Sequence, residues 1–141
     1  MQLTTKSEYA LLALIELAER SDGVPVSLKR IAQERSLPEP FLEQVFTALK
    51  GAGIVRAVRG ARGGYLLTRP PDELTALDVV EAVEGPVRPT TCDAPACPSS
   101  GACPAVPVWD RVTAAMRDAL ASFRLSELVA HDRAYGSYRK G

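Results

Sequence analysis

The chain has 141 residues, 46% of them apolar, with 17 basic and 17 acidic residues that cancel to no net charge. That length suits one domain, or one domain with an oligomerisation element, and that apolar share is enough for a core. The N-terminus Met-Gln-Leu-Thr-Thr-Lys has no charged segment followed by an apolar one, and no apolar run approaches the roughly 20 residues that span a bilayer; the expectation is a cytoplasmic protein without a membrane segment.

Charge is unevenly placed. Residues 1–69 hold ten basic and seven acidic residues, and residues 70–141 hold seven and ten. No acid lies between Glu43 and Asp72, whereas Lys50, Arg56, Arg59, Arg62 and Arg69 all do. A local field of that sign attracts polyanions even when the whole chain is neutral.

Thr5 with Glu8 three residues on predicts a capping box at the start of a first helix, with Leu11, Leu12, Ile15 and Ala18 as its apolar side. Ser21-Asp22-Gly23 ends it. Ser27 begins a short second helix with Leu28, Ile31 and Ala32 inward. Leu37-Pro38-Glu39-Pro40 is a turn, and a third helix runs from about Pro40 to Lys50, its inner stripe made by Phe41, Leu42, Val45, Phe46 and Leu49. Gly51 and Gly53 terminate it. Two short helices joined by about four residues form a helix-turn-helix, whose second helix can enter a major groove. Ile54–Val58, a glycine-rich turn and Tyr65–Thr68 then predict a β-hairpin with Arg59 and Arg62 at its tip. The whole reads as a winged helix, with an arginine-bearing wing that can reach a minor groove.

Thr75 with Asp78 predicts a fourth helix carrying Val79, Val80 and Val83, stopped by Gly85-Pro86. Pro104 marks the start of a long helix on which Trp109, Val112, Met116, Leu120 and Phe123 recur at spacings of 3, 4, 4 and 3. That seam must pack against something, and in so short a chain a second copy is the natural partner. Leu125–Val129 reads as a last short helical turn, with a polar, frayed tail beyond His131.

All three cysteines, Cys92, Cys97 and Cys103, fall within twelve residues, among Pro86, Pro89, Pro95, Pro98, Pro104 and Pro107. Such a stretch is neither regular helix nor interior strand. In a cytoplasmic chain, three clustered thiols read as ligands or redox groups before they read as a disulfide framework. Soft thiolates suit an iron–sulfur cluster, of 2Fe–2S or 4Fe–4S type, or zinc. Zinc prefers four closed ligands, and only three thiols are present; bare redox thiols are the other alternative.

With these residues in view, the sequence resembles the Rrf2-type family of dimeric winged-helix regulators, which includes the iron–sulfur regulator IscR and the nitric-oxide-sensing repressor NsrR. The resemblance rests on Leu3-Thr4-Thr5-Lys6 with Tyr9-Ala10, and on Phe41-Leu42-Glu43-Gln44. It rests equally on Val58-Arg59-Gly60 with Gly63-Gly64-Tyr65-Leu66-Leu67, the three-cysteine loop, and Leu125-Ser126-Glu127-Leu128. It implies a mainly α fold with a small β-hairpin wing: a winged helix-turn-helix plus a long dimerisation helix. It also implies a homodimer on a pseudo-palindromic operator in double-stranded DNA, and a cluster that tunes DNA affinity. The division expected is 1–85 DNA-binding domain, 86–103 cysteine loop, and 104–141 dimerisation helix and C-terminal segment.

In IscR-like members a histidine a few residues past the third cysteine completes the site. Here the lone His131 lies 28 residues beyond Cys103. In NsrR-like relatives a carboxylate from the first helix of the other subunit supplies the last ligand, and Glu8 occupies that place; Asp93 is a weaker candidate. On the third helix, Gln44 can pair with adenine, Glu43 can accept from cytosine or repel wrong bases, and Thr47 can meet a phosphate or a thymine methyl, with Lys50 beside them. An enzyme is not expected: no Cys–His pair at short range, phosphate loop or paired carboxylates can be placed. The alternatives are a metal-free thiol-based redox regulator and a zinc-stabilised winged-helix module that binds protein.

Overall fold

In the computed structural model, which describes residues 3–20, 22–88 and 103–135, the first helix α1 spans Thr5–Glu19 and is capped by Thr4 rather than Thr5. Thr4 Oγ1 accepts from Lys6 N at 3.2 Å. Glu8 completes no capping box. The carboxylate that serves this helix start is Glu84, which accepts from Thr4 N at 3.0 Å, from the Thr4 hydroxyl, and from the Ser7 hydroxyl at 3.0 Å. Adjacent threonines are equal cap candidates in sequence, and the distant acid selects Thr4.

α1 lies inside the molecule. It packs against α2 (Leu28–Arg35), α3 (Glu39–Gly51), α4 (Ala76–Glu84) and α6 (Leu125–Tyr135). Its most buried side is therefore Ala10, Ala13, Leu14 and Leu17, while Leu11, Leu12 and Ala18 of the expected stripe are half-buried. A helix apolar nearly all round does not reveal its deepest face by spacing alone.

Ser27 caps α2, its hydroxyl accepting from Arg30 N at 3.2 Å. Ser36, in the left-handed region at φ 54°, turns the chain into α3. Pro38 holds the N-cap position there, and Pro40 falls inside the first turn where its missing N–H costs nothing. Leu42, Val45, Phe46 and Leu49 are buried, and Phe41 lies half-buried edge-on to Tyr9 at 5.3 Å. The helix-turn-helix is formed as the sequence predicts.

β1 (Val55–Val58) and β2 (Gly64–Leu67) pair antiparallel, Val55 opposite Leu67 and Val58 opposite Gly64. Val26 adds a further bridge on the other edge, exchanging hydrogen bonds with Tyr65 at 3.0 and 2.8 Å. The Gly-Gly pair is required by close approach. A Cβ on Gly63 would meet Val58 O at 2.1 Å, and one on Gly64 would meet the Val26 backbone at 2.4 Å.

α4 carries the predicted Thr75–Asp78 capping box and ends at Gly85. α5 runs Val106–Ala121, so the proline in its first turn is Pro107, and Pro104 lies in the preceding turn. Both prolines suit a helix start, and the sequence does not rank them. The link after α5 is pinned by Ala76 N to Phe123 O at 2.9 Å and Leu125 N to Leu74 O at 2.8 Å. The expected short turn at Leu125 is instead the 11-residue helix α6, which folds back onto α1 and places Leu125 and Val129 in the head's core. His131 therefore lies within a helix rather than at the start of a frayed tail.

Gly64→Ala should destabilise the fold by about 1–3 kcal/mol, because the added methyl meets backbone that cannot rotate away. Urea unfolding should show a lower midpoint with an unchanged slope.

Candidate nucleic-acid interface and cysteine loop

Glu43, Gln44, Thr47 and Lys50 are all exposed on the side of α3 opposite its buried stripe. The helix is held from behind by Leu42, Val45, Phe46 and Leu49, so its outer side chains sit on a rigid support. Thr47 donates its hydroxyl proton to Glu43 O at 2.8 Å, which restrains its side chain. Arg59 and Arg62 are exposed at the wing tip. A groove of about 600 Å³ separates that tip from the start of α2, with Ser27, Arg30, Arg62 and Gly63 along it. Arg30 is a cation beside the wing that periodicity did not single out, because it looks like any solvated residue on a short helix.

The cysteine stretch is described at its two ends. At the first, Val87 is buried and its N–H donates to Glu81 Oε2 at 3.0 Å. The same oxygen accepts from Arg117 Nη1 on α5 at 2.7 Å. Glu81 therefore joins α4, the entry to the loop and the long helix. At the second end, Cys103 is a half-buried free thiol whose carbonyl accepts from Val106 N at 3.2 Å. Cys92, Cys97 and Asp93 lie outside the described residues. Among the described residues, no group of three or more His, Cys, Asp and Glu side chains comes together as a metal site. Glu8 is exposed near the start of α1, and His131 is exposed on α6. The donor set itself fits a thiophilic centre: three thiolates, with no fourth ligand gathered by the described part of one chain.

α5 packs on α4, but none of its side chains is fully buried. Trp109, Met116 and Leu120 are half-buried, while Val112 is 37% and Phe123 51% exposed, with Val108 at 55% beside them. Four of the five expected seam residues thus lie on α5 and are only partly covered, whereas Phe123 falls past the helix end, in the link that Ala76 N pins through the Phe123 carbonyl.

The structure also holds a buried ionic cluster that sequence reading missed. Arg35, the last residue of α2, has a side chain with 0% exposure. Its Nε donates to Glu16 Oε1 at 2.8 Å, and its Nη1 and Nη2 donate to the two carboxylate oxygens of Asp132 at 3.1 and 3.0 Å. Glu19 receives a longer bond at 3.4 Å. Glu16 also pairs with Arg20, which reaches Glu34 at 3.2 Å. Burial by itself would lower the Arg35 pKa, but Asp132 and Glu16 outweigh it and hold it raised, so the guanidinium stays charged. At Glu84, desolvation favours the neutral acid, yet the hydrogen bonds from Thr4 and Ser7 together win and hold its pKa below the ordinary carboxylate value.

A helix-turn-helix with a basic hairpin wing defines a winged-helix DNA-binding protein. Residues 3–131 match the family described as "Rrf2: Iron-dependent Transcriptional regulator", and the chain belongs to the Rrf2 family. It is 37% identical to the HTH-type transcriptional regulator CymR of Bacillus subtilis over 131 residues, 93% of this chain and 91% of that protein. It is 42% identical to the regulator IscR of Cereibacter sphaeroides over 90 residues, 62% of this chain and 58% of that protein. The structure of CymR (YrzC), "the Global Cysteine Regulator of B. subtilis", superposes with a TM-score of 0.77 at 35% identity, covering 93% of this chain and 98% of that one. T. potens IscR superposes with a TM-score of 0.74 at 31% identity, covering 100% of this chain and 94% of that one. The protein is accordingly a helix-turn-helix transcriptional regulator of a family that is not enzymatic. No helix among the described residues is long and apolar enough to cross a membrane.

Because the folded Glu84 pKa is depressed, its contribution to stability is fully present above an ordinary glutamate pKa near 4.3 and is lost as pH falls through the lower folded value. Glu84→Gln should cost on the order of 1 kcal/mol near neutral pH, discounted for partial solvation. The Tm difference from wild type should shrink below about pH 4.3, as followed by circular dichroism melts across pH.

Proposed function

We propose that the protein is a homodimeric repressor whose affinity for a pseudo-palindromic operator is tuned by an iron–sulfur cluster held at Cys92, Cys97 and Cys103. The observation that carries this reading is where the three-cysteine stretch falls in the chain, between α4 and α5. The loop joins α4 to a long helix that packs on α4 yet has no fully buried side chain, and that leaves Val108 and Val112 exposed. The match to a family described as iron-dependent, and the likeness to IscR, support it. Glu8 of the partner subunit completes the ligand set. It is exposed, no hydrogen bond or ion pair engages it among the described residues, and the box that would have occupied it does not form. When bound, such a centre supplies redox and ligand-exchange chemistry at iron. What the chain's own residues do is hold the loop: Glu81 fixes its entry to both α4 and α5, and Cys103 leads through one turn into α5.

The division proposed is the head at 1–85, the loop at 86–103 and the dimerisation segment at 104–141, with α6 returning to the head. Trp109, Val112, Met116, Leu120 and Phe123 form the dimer seam. Glu43, Gln44 and Thr47 read bases, Lys50 meets phosphate, and Arg59 and Arg62 place the wing in the adjacent groove.

A second reading has its own support. The chain aligns over nearly its whole length with CymR, named a global cysteine regulator, and it also superposes on an oxidised form of Staphylococcus aureus CymR with a TM-score of 0.69. On that reading the thiols respond directly to oxidants or cysteine status, without metal.

Protein purified without oxygen should be brown and carry iron and acid-labile sulfide in cluster ratio; colourless, iron-free protein under those conditions selects the thiol reading instead. In Glu8→Ala the cluster should form but decay faster on exposure to air, and an unchanged absorption spectrum and lifetime would release Glu8 from the ligand set. Arg59→Ala should weaken binding to the protein's own promoter fragment by about 1–3 kcal/mol in gel shifts, and unchanged binding would take the wing off the DNA.

A further inference from the structure

The contact between Arg35 and Asp132 joins two parts of the molecule with different tasks. Arg35 is the last residue of α2, immediately before Ser36 turns the chain into α3. Asp132 is on α6, which leaves α5 through the short link Ser122–Arg124. The bond between them is planar and two-pronged, Nη1 to Oδ1 at 3.1 Å and Nη2 to Oδ2 at 3.0 Å. A forked guanidinium–carboxylate pair fixes relative orientation as well as distance. α5, by contrast, rests on α4 with no side chain fully buried. Its direction is set by Arg117 on Glu81, by the backbone bonds at Ala76 and Leu125, and by where α6 docks.

We propose that Asp132 is a positioning residue that fixes the angle between the recognition helix α3 and the dimerisation helix α5, and thereby the half-site spacing the dimer accepts. The proposal rests on the dimeric reading above, because a spacing exists only when two heads are held together.

Losing this contact costs Arg35 two hydrogen bonds but leaves its charge paired, by Glu16 and, at 3.4 Å, by Glu19. Without Asp132, Arg35 keeps Glu16 at 2.8 Å, and Glu16 keeps Arg20. α1 and α2 therefore stay clamped and the head stays charge-paired, while α6 loses its orienting bond to the turn. Removing Arg35 would instead take the shared cation from Glu16, Glu19 and Asp132 at once, leaving three acids close together with Arg20 still on Glu16, which is costly to the fold itself. Asp132 is the informative position for that reason. Its side chain is 11% exposed, so water can replace part of what is lost.

The test uses the full-length dimer and a duplex that wild-type protein selects from a random DNA library, alongside the same duplex with one or two base pairs inserted or deleted at its centre. Each base pair shifts the second half-site by about 3.4 Å and about a tenth of a turn. Wild type should lose at least about tenfold in affinity, roughly 1.4 kcal/mol, on each change. Asp132→Ala should cut that penalty to about threefold or less, with binding to a single half-site unchanged within about twofold. Should the alanine variant not fold, Asp132→Asn, which keeps one acceptor for Arg35, should show a penalty between the two. A uniform loss on every duplex, or an intact spacing penalty in a folded variant, would overturn the assignment. Sedimentation of wild type as a monomer would instead remove the dimeric reading, so the two failures are told apart.

Discussion

Arg35 sets the terms for the rest of the molecule. A guanidinium with no exposed surface cannot be left unpaired, and the cost of burying it is recovered only if its donors are met in good geometry. Meeting them draws Glu16 from α1 and Asp132 from α6 to the end of α2. The pairing adds little net stability over a well-packed apolar alternative. What it adds is direction: three helices from distant parts of the chain can satisfy one planar group in only one mutual arrangement. The core around Leu14, Leu17, Ile31, Phe46 and Leu125 would tolerate some sliding; the fork does not.

α4 does the corresponding work on the other side of the head. Glu84 at its end holds the start of α1 through Thr4 and Ser7, and Glu81 one turn earlier holds Val87 and Arg117. The start of α1, the entry to the cysteine loop and the flank of α5 are thus referred to a single nine-residue helix. Glu8, one residue past Ser7, inherits that placement. A displacement of the loop entry therefore reaches α4 and α5 together through one carboxylate oxygen.

Much of this was legible in the sequence, and the unread part has a common cause. Local signals worked: Ser27 at α2, the Thr75–Asp78 box at α4, the Gly63-Gly64 turn and the apolar stripe of α3 all depend on neighbours within a few residues. Trp109, Val112, Met116 and Leu120 do share α5, but the spacing that added Phe123 ran past the helix end at Ala121, because periodicity does not show where a helix stops. Errors fell where two local choices were equivalent, as with Thr4 against Thr5 and Pro107 against Pro104. The long-range polar contacts were missed altogether. Arg35 at a helix end looks like a residue that complements the helix dipole, and Asp132 in a polar tail looks solvated. Nothing in either neighbourhood announces a partner 97 residues away. The same holds for Glu84 and Thr4, 80 residues apart. Of the candidate site, the residue types were readable, but which of them share a support was not.

Taken together, the two carboxylate systems make α5 a lever with unequal ends. Its C-terminal end is tied to the head three ways: by backbone bonds at Ala76 and Leu125, by Leu125 and Val129 in the core, and by Asp132 on Arg35. Its N-terminal end follows Cys103 and has no buried side chain to hold it. Between the two, the described side-chain tie is Arg117 to Glu81, at an exposed site where an ion pair is worth at most about 1 kcal/mol. The weakly held end is therefore the one beside Cys103, and the strongly held end is the one beside the turn between α2 and α3. On the proposed reading, a change of state in the loop would meet little resistance from the first turns of α5, where no side chain is fully buried. On the proposed dimeric reading, the coupling at the far end would turn such a shift into a change of angle between heads.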